Sequence, residues 1–202
     1  MKRGFRLCGA IGTIISFTSL SPAGILGWPE NDKQFQDGRL EAMAGQTVMF
    51  SPALGASRPP VNYSCTEIEL GYMVTGVKGR NFWRGNLEVA GSLFAGGIFE
   101  GHGNYIVGTT GWIRYNFIPP DSRFIPYLAA GPGLTEADID HRIEGKNFDF
   151  NLNVAAGTRY LLKPDWSLNL ECRYQHISNA HLAKPNAGVD AIGPVISVSY
   201  YF

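Results

Sequence analysis

Apolar and polar residues alternate along most of the chain beyond residue 38. A period of about two residues is typical of a β-strand with one apolar and one polar face. The pattern divides the chain into eight strand-like runs, which are separated by segments rich in turn-forming residues. The predicted runs are 39–51, 62–76, 85–99, 104–118, 124–138, 147–162, 165–180 and 189–202.

The sixth run shows the alternation most clearly. Its apolar series is Phe148, Phe150, Leu152 and Val154, and its polar series is Asp149, Asn151, Asn153 and Arg159. The fifth run is ambiguous because Pro126 and Pro132 predict irregular pairing within it. An apolar strand face is the core of a soluble protein, whereas in a membrane barrel it is the face that contacts lipid.

Composition favours the membrane barrel. The chain has 202 residues with 25 glycines, 12% aromatic residues and 17% charged residues, below the roughly 25% charged residues usual in soluble proteins. Beyond the N-terminus, no uncharged apolar run reaches the roughly 18 residues that a spanning helix needs. We therefore predict an all-β fold, an eight-stranded antiparallel transmembrane β-barrel. The formal net charge of zero gives no indication of a nucleic-acid partner.

The N-terminal region has the features of a secretory signal. Basic residues at its start precede an apolar stretch over residues 7–20, and Ser21-Pro22-Ala23 offers a small-residue cleavage site. We predict a signal peptide over 1–23, with an N-terminal membrane anchor as the alternative. Residues 24–38 are expected to form a loosely ordered lead-in, and 39–202 to form the barrel.

The lengths of the connections predict the orientation of the barrel. Of the seven connections, three are short turns and most of the others are longer, and short turns face the periplasm in barrels of this kind. The short turns are 77–81, 119–122 and 163–164, and the longer loops are 52–61, 139–146 and 181–188. With an even number of strands both termini are periplasmic, so the seventh run ascends towards the outer leaflet.

Charged residues on the polar strand faces are predicted to line the lumen. Because a barrel of eight strands is just filled by side chains, a structural ion-pair network is favoured over a transport path. The residues concerned are Glu67, Glu69, Glu88, Arg114, Arg159, Glu171 and Arg173. Cys65 falls on a polar face and Cys172 on an apolar face, so a disulfide between them is not expected.

Candidate chemistry lies at the outer end of the seventh run. His176 and Ser178 continue the apolar series of that run, so they face outward at the level of the outer leaflet. Asp190 begins the eighth run at the same level. A serine becomes a nucleophile when an adjacent base takes its proton and a third group orients that base. We therefore assign these roles to Ser178, His176 and Asp190, with Asn179 and Asn186 as candidate donors to an oxyanion.

The same residues admit other interpretations. The histidine and serine could sit at headgroup level for their polarity alone. The histidines do not show metal-ligand spacing with carboxylates, so no metal or other cofactor is expected.

Most of the predicted mature chain resembles the outer-membrane lipid A 3-O-deacylases of the PagL type, most specifically in its C-terminal region. The resemblance is carried by Tyr174-Gln-His-Ile-Ser-Asn-Ala180, Pro185-Asn-Ala-Gly188 and Val198-Ser-Tyr-Tyr-Phe202, and segments 126–133 and 148–151 add to it. It implies an eight-stranded barrel with its site on the membrane-facing surface. It also implies hydrolysis of the ester-linked 3-hydroxyacyl chain at the 3 position of lipid A.

Carried over residue by residue, the resemblance makes Ser178 the nucleophile, His176 the general base and Asn186 an oxyanion donor. Asp190 stands where the family has Glu, and His181 stands where a small residue, commonly Gly, is usual. The implied partner is lipid A or lipopolysaccharide of the outer leaflet in a Gram-negative outer membrane, and a homodimer is a possible assembly. Two other functions stay open, a non-catalytic barrel in membrane integrity or adhesion and a phospholipid esterase with the same triad.

Overall fold

Strands form where the alternation predicts them. The computed structural model describes residues 32–51, 60–139 and 143–202, and eight antiparallel strands close into a barrel in sequence order. They are β1 (Leu40–Met49), β2 (Asn62–Met73), β3 (Gly85–Glu100), β4 (Tyr105–Phe117), β5 (Phe124–Ala137), β6 (Phe148–Lys163), β7 (Trp166–Ser178) and β8 (Val189–Tyr201). The barrel closes by pairing of β1 with β8. The prediction of an eight-stranded barrel is confirmed.

The predicted signal peptide over 1–23 lies outside the described residues. The part of the lead-in that is described contains a short 3-10 helix, Lys33–Phe35, whose Phe35 is fully buried. Phe35 packs edge-on against Tyr201 at the end of β8. The end of the lead-in is therefore an ordered part of the barrel, which the sequence pattern did not indicate. Among the described residues, helices are too short or too polar to span a membrane.

The outer face of the barrel is apolar, as the alternation predicts. On β6 the side chains of Phe148, Phe150, Leu152 and Val154 are exposed, whereas the intervening polar side chains are buried. The fifth strand is more regular than its prolines suggested, because Pro126 and Pro132 point outward and β5 pairs with β6 throughout. Pairing of β5 with β4 is interrupted only at 131–132, where Pro132 has no N–H to donate.

Three layers fill the lumen. At the end with the short turns (the turn end), a small apolar cluster surrounds Phe35. At the end with the longer loops (the loop end), a larger apolar cluster includes Tyr63, Phe94 and Ile177. Charged and polar side chains lie between them. The sequence analysis did not predict the apolar layer at the loop end. The alternation indicates which residues face inward, and it assigned polar residues to that face, whereas near the loops the inward-facing residues are apolar.

The predicted ion-pair network occupies the middle layer. Arg114 contacts Glu69 at 2.8 Å and Glu88 at 2.5 Å, and Arg159 contacts Glu88 at 3.0 Å and also Glu41. A second group joins Arg173 to Glu67 at 2.8 Å and to Glu171 at 2.7 Å. Cys65 is buried in the lumen and Cys172 is exposed on the outer face, and both are free thiols, as predicted.

Strand register places the loop ends of β6, β7 and β8 side by side. His176 lies opposite Leu152 of β6 on one side and opposite Asp190 of β8 on the other. Ser178 lies opposite Phe150. His176, Ser178 and Asp190 therefore belong to one patch of the outer barrel surface, bordered by residues 179–188, which connect β7 to β8.

Candidate active site

His176 and Ser178 lie on the outer face of β7, at the point where the strand ends. Both are half-buried, whereas Ile177 between them is fully buried in the lumen. This placement follows from the strand, because successive side chains point to opposite faces. The prediction that both residues face outward agrees with the structure.

Asp190 reaches His176 directly from the neighbouring strand. The Nδ1 atom of His176 lies 2.7 Å from Oδ1 of Asp190, and their side chains are 35% and 32% exposed. The hydroxyl of Tyr174 donates to the same carboxylate oxygen at 2.6 Å. With Nδ1 engaged by the carboxylate, Nε2 is the nitrogen that remains to accept a proton from a nucleophile.

Ser178 shares this face with His176, but the structure shows no hydrogen bond between their side chains in the part of the chain that it describes. Residues two apart on a strand have Cα atoms about 7 Å apart. Catalytic hydrogen bonds are often long before substrate binds and tighten in the complex. The structure thus brings His176 and Asp190 into contact and Ser178 beside them.

Asn179 is placed differently from the other candidates. It is fully buried, and its side chain donates to the Pro185 carbonyl at 3.1 Å and accepts from the Ala183 amide at 3.4 Å. Its position follows from the alternation, which turns residue 179 inward after Ser178. Asn179 shapes the connecting loop, and the structure does not bring it to the outer face with the other candidate residues.

Asn186 is held by contacts at both ends of its side-chain amide. Its Oδ1 accepts from the backbone N–H of Asn179 at 2.9 Å, and its Nδ2 lies 3.2 Å from Nδ1 of His181. Because a backbone N–H can only donate, this contact fixes which end of the amide is oxygen. The half-buried Asn186 is therefore held with its amide nitrogen against the ring of His181.

The loop leaves β7 through two residues in the left-handed region. Ala180 has a φ of 50° and His181 a φ of 63°. Glycine adopts this conformation without steric cost, whereas other residues are disfavoured there. This geometry gives a physical reason why a small residue such as glycine suits position 181, where this chain has histidine.

Two residues near the site escaped sequence analysis. Tyr174 could have been found, because it shares the outward phase of His176 two residues earlier on β7. Glu144 lies between β5 and β6 and is fully buried, and it accepts hydrogen bonds from the backbone amides of Asn179 and Gly188. It follows no periodic pattern, so the sequence offered no signal for it. Within the described parts of the chain, no group of three or more His, Cys, Asp and Glu residues could hold a metal ion.

Comparisons with known proteins identify the family. The model of the lipid A 3-O-deacylase (PagL) family matches residues 66–199, which is more than half of the chain and runs from β2 to β8. No curated protein matches the chain.

Solved structures share the barrel. Neisserial surface protein A is 18% identical, with a TM-score of 0.60 over 82% of this chain and 100% of that one. The outer membrane enzyme PagL is 17% identical, with a TM-score of 0.53 over 79% of this chain and 97% of that one. The attachment invasion locus protein Ail of Yersinia pestis is 14% identical, with a TM-score of 0.53 over 83% of this chain and 100% of that one. At these identities the likeness establishes the fold alone.

The family match covers the strands that carry His176, Ser178 and Asp190, and the closed barrel presents the apolar outer face that a membrane requires. The chain belongs to the lipid A 3-O-deacylase (PagL) family and is a β-barrel of the Gram-negative outer membrane.

Proposed function

We infer that this chain is a serine esterase that removes the ester-linked 3-hydroxyacyl chain at the 3 position of lipid A in the outer leaflet. The observation that carries this proposal is the 2.7 Å contact between His176 and Asp190. It lies on the lipid-facing surface beside Ser178, in a chain of the PagL family. A carboxylate hydrogen-bonded to an imidazole is costly on a lipid-facing strand, so a functional reason for its presence is favoured.

The first half of the reaction is acyl transfer. Asp190 holds the imidazole through Nδ1, and Nε2 of His176 takes the proton of the Ser178 hydroxyl as Oγ attacks the ester carbonyl. The Asn186 amide donates to the resulting oxyanion. The bond from the carbonyl carbon to the sugar oxygen then breaks, and His176 returns its proton to that oxygen. The acyl chain stays on Ser178 and the deacylated lipid leaves.

Hydrolysis of the acyl-enzyme is the second half. A water molecule gives a proton to Nε2 of His176 and its oxygen attacks the acyl carbonyl. The bond from this carbon to Oγ of Ser178 breaks, and the serine regains its proton from the imidazole. The products are a free fatty acid and the original enzyme, so the scheme needs no cofactor.

The surroundings of the site suit a lipid ester. Across the strands from His176 and Ser178, the exposed side chains of Leu152 and Phe150 form an apolar wall on β6. An acyl chain lying on this wall keeps its carbons in an apolar environment while its ester group reaches the polar residues at the loop end. The substrate therefore approaches from the membrane.

Mass spectrometry of lipid A from a Gram-negative host expressing the barrel tests the proposal. Loss of one 3-hydroxyacyl chain is expected with the wild type and not with Ser178→Ala. Ser64→Ala is a matched control, because Ser64 is another half-buried serine of the outer face but lies on β2. Heat-modifiable gel migration checks that every variant has assembled.

Unchanged lipid A from an assembled wild-type barrel would contradict the proposal. Phospholipids from the same cells distinguish the remaining functions. Their deacylation, again dependent on Ser178, would indicate a phospholipid esterase, and intact phospholipids would indicate a non-catalytic barrel.

A further inference from the structure

The buried carboxylate of Glu144 joins the two ends of the loop that borders the site. Its Oε1 accepts from the backbone N–H of Gly188 at 2.6 Å, and its Oε2 accepts from the backbone N–H of Asn179 at 3.2 Å. Asn179 directly follows β7 and Gly188 directly precedes β8. One side chain therefore links the strand that carries His176 and Ser178 to the strand that carries Asp190.

We propose that Glu144 is a positioning residue for His176 and Asn186, acting through the backbone at Gly188 and Asn179. The proposal rests on the esterase function inferred above. Glu144 accepts hydrogen bonds from these two backbone amides, and it also lies beside the buried carboxyl group of Asp149 on β6. Burying a carboxylate is unfavourable unless it is well hydrogen-bonded, so this arrangement indicates a specific structural task.

The route from Glu144 to His176 runs through Gly188. Gly188 has a φ of +74°, and a Cβ atom placed on it would lie 3.0 Å from Cε1 and 3.7 Å from Nε2 of the His176 ring. Gly188 thus lies beside the Cε1–Nε2 side of the imidazole, where a side chain would meet the ring. Fixing the Gly188 amide fixes the surface against which His176 rests.

The route to Asn186 runs through Asn179. The same backbone N–H of Asn179 is shared between Glu144, at 3.2 Å, and Oδ1 of Asn186, at 2.9 Å. A shift of this amide moves the anchor of the Asn186 side chain and so redirects its Nδ2 donor. Glu144 therefore acts on the base and on the oxyanion donor at once.

Backbone pairing holds the Glu144 segment in place independently of its carboxylate. The Gly145 amide donates to the Pro185 carbonyl at 2.8 Å, and the Ala187 amide donates to the Ile143 carbonyl at 2.9 Å. These two bonds do not involve a side chain, so they remain in a Glu144→Gln variant. That substitution keeps the shape but replaces one acceptor oxygen with an NH2 group facing a backbone N–H, a donor against a donor.

Lipid A deacylation kinetics in detergent, with wild type, Glu144→Gln and Ser178→Ala, form the first arm of the test. Glu144→Gln is expected to lower kcat by about tenfold or more with little change in KM, because misplacing a catalytic group affects the transition state more than substrate binding. Glu136→Gln is the matched control, since Glu136 is an exposed carboxylate on β5 that contacts Tyr105. An unchanged kcat, or a rise in KM alone, would overturn the inference.

Nuclear magnetic resonance of the His176 ring in the assembled barrel is the second arm, and it does not depend on activity. The ring signal, assigned by its loss in His176→Ala, is expected to shift or broaden in Glu144→Gln and to stay in place in Glu136→Gln. An unmoved signal would refute the positioning role. The wild type could be inactive on lipid A while Glu144→Gln still shifts the His176 signal. That result would refute the proposed function but support the positioning of His176 by Glu144.

Discussion

At the scale of single residues, an aspartate reaches His176 at a position where the resemblance to the family implies a glutamate. The strand register puts Asp190 directly opposite His176, and this position lets the shorter side chain reach Nδ1 at 2.7 Å. Tyr174 donates to the same oxygen at 2.6 Å and so helps to fix the carboxylate. Strand register and the neighbouring hydroxyl together hold the Asp190 carboxylate against His176.

This geometry predicts the effect of substitutions at Asp190. Asp190→Ala leaves the imidazole without its orienting partner and is expected to lower kcat by about 10³- to 10⁴-fold, the cost of disrupting this role in other triads. Asp190→Glu is expected to stay within about tenfold of the wild type, because the partly exposed side chain can take up one methylene by rotation. Initial rates of lipid A deacylation measure both. Full activity of Asp190→Ala would remove Asp190 from the mechanism.

At the scale of elements, β6 contributes to the site without contributing chemistry. Its outward residues Phe150 and Leu152 lie opposite Ser178 and His176, and Leu152 is 57% exposed. The alternation alone predicted that these residues face outward. That they flank the candidate site follows from the pairing of β6 with β7, which no local pattern specifies.

Shortening the wall on β6 should weaken substrate binding. Leu152→Ala removes apolar contact with the acyl chain, and losing part of a leucine side chain's burial costs about 1 kcal/mol, which corresponds to about a fivefold lower kcat/KM. Kinetics over substrates of increasing acyl length measure the effect, which should grow with chain length. Leu128→Ala is the control, since Leu128 is a similarly exposed leucine of β5 that pairs with Ala156 further down the barrel. Equal effects of the two variants would show that the wall does not bind the acyl chain.

At the scale of the whole molecule, the lumen stabilises the barrel and the outer surface carries the candidate site. Arg159 lies in the middle layer between Glu41 and Glu88, and its guanidinium also lies over the rings of Tyr127 and Tyr201. Apolar layers lie on either side of this middle layer. The stabilising ion pairs therefore lie on the inner face of the strands, and the candidate site lies on their outer face.

Removing one member of the ion network should reduce stability without affecting the site. Arg159→Ala leaves the buried Glu41 without its ion-pair partner and Glu88 with Arg114 alone. Breaking a buried ion pair in this way usually costs about 3–5 kcal/mol. We expect a lower unfolding temperature by heat-modifiable gel migration, with unchanged specific activity of the folded fraction. Arg80→Ala, on the exposed turn between β2 and β3, should leave both unchanged. Lost activity in a fully folded Arg159→Ala barrel would mean that the lumen is coupled to the site.

The sequence by itself determined the strands, the two faces of each strand and the outward position of His176 and Ser178. It could do so because strand periodicity is local, and each side chain's face follows from its parity along the run. The same rule had already turned Asn179 inward, and its burial in the structure agrees with that parity. The burial of Asn179 differs from the expectation that its side chain donates to an oxyanion at the outer face.

Only the tertiary structure decided which residues meet across strands and loops. Strand register determines the contact of Asp190 with His176 and the position of the wall on β6. The linkage of both loop ends depends on Glu144, which lies in a loop from another part of the chain. These are long-range contacts, and their partners are chosen by closure of the whole barrel, so no pattern within one run could indicate them.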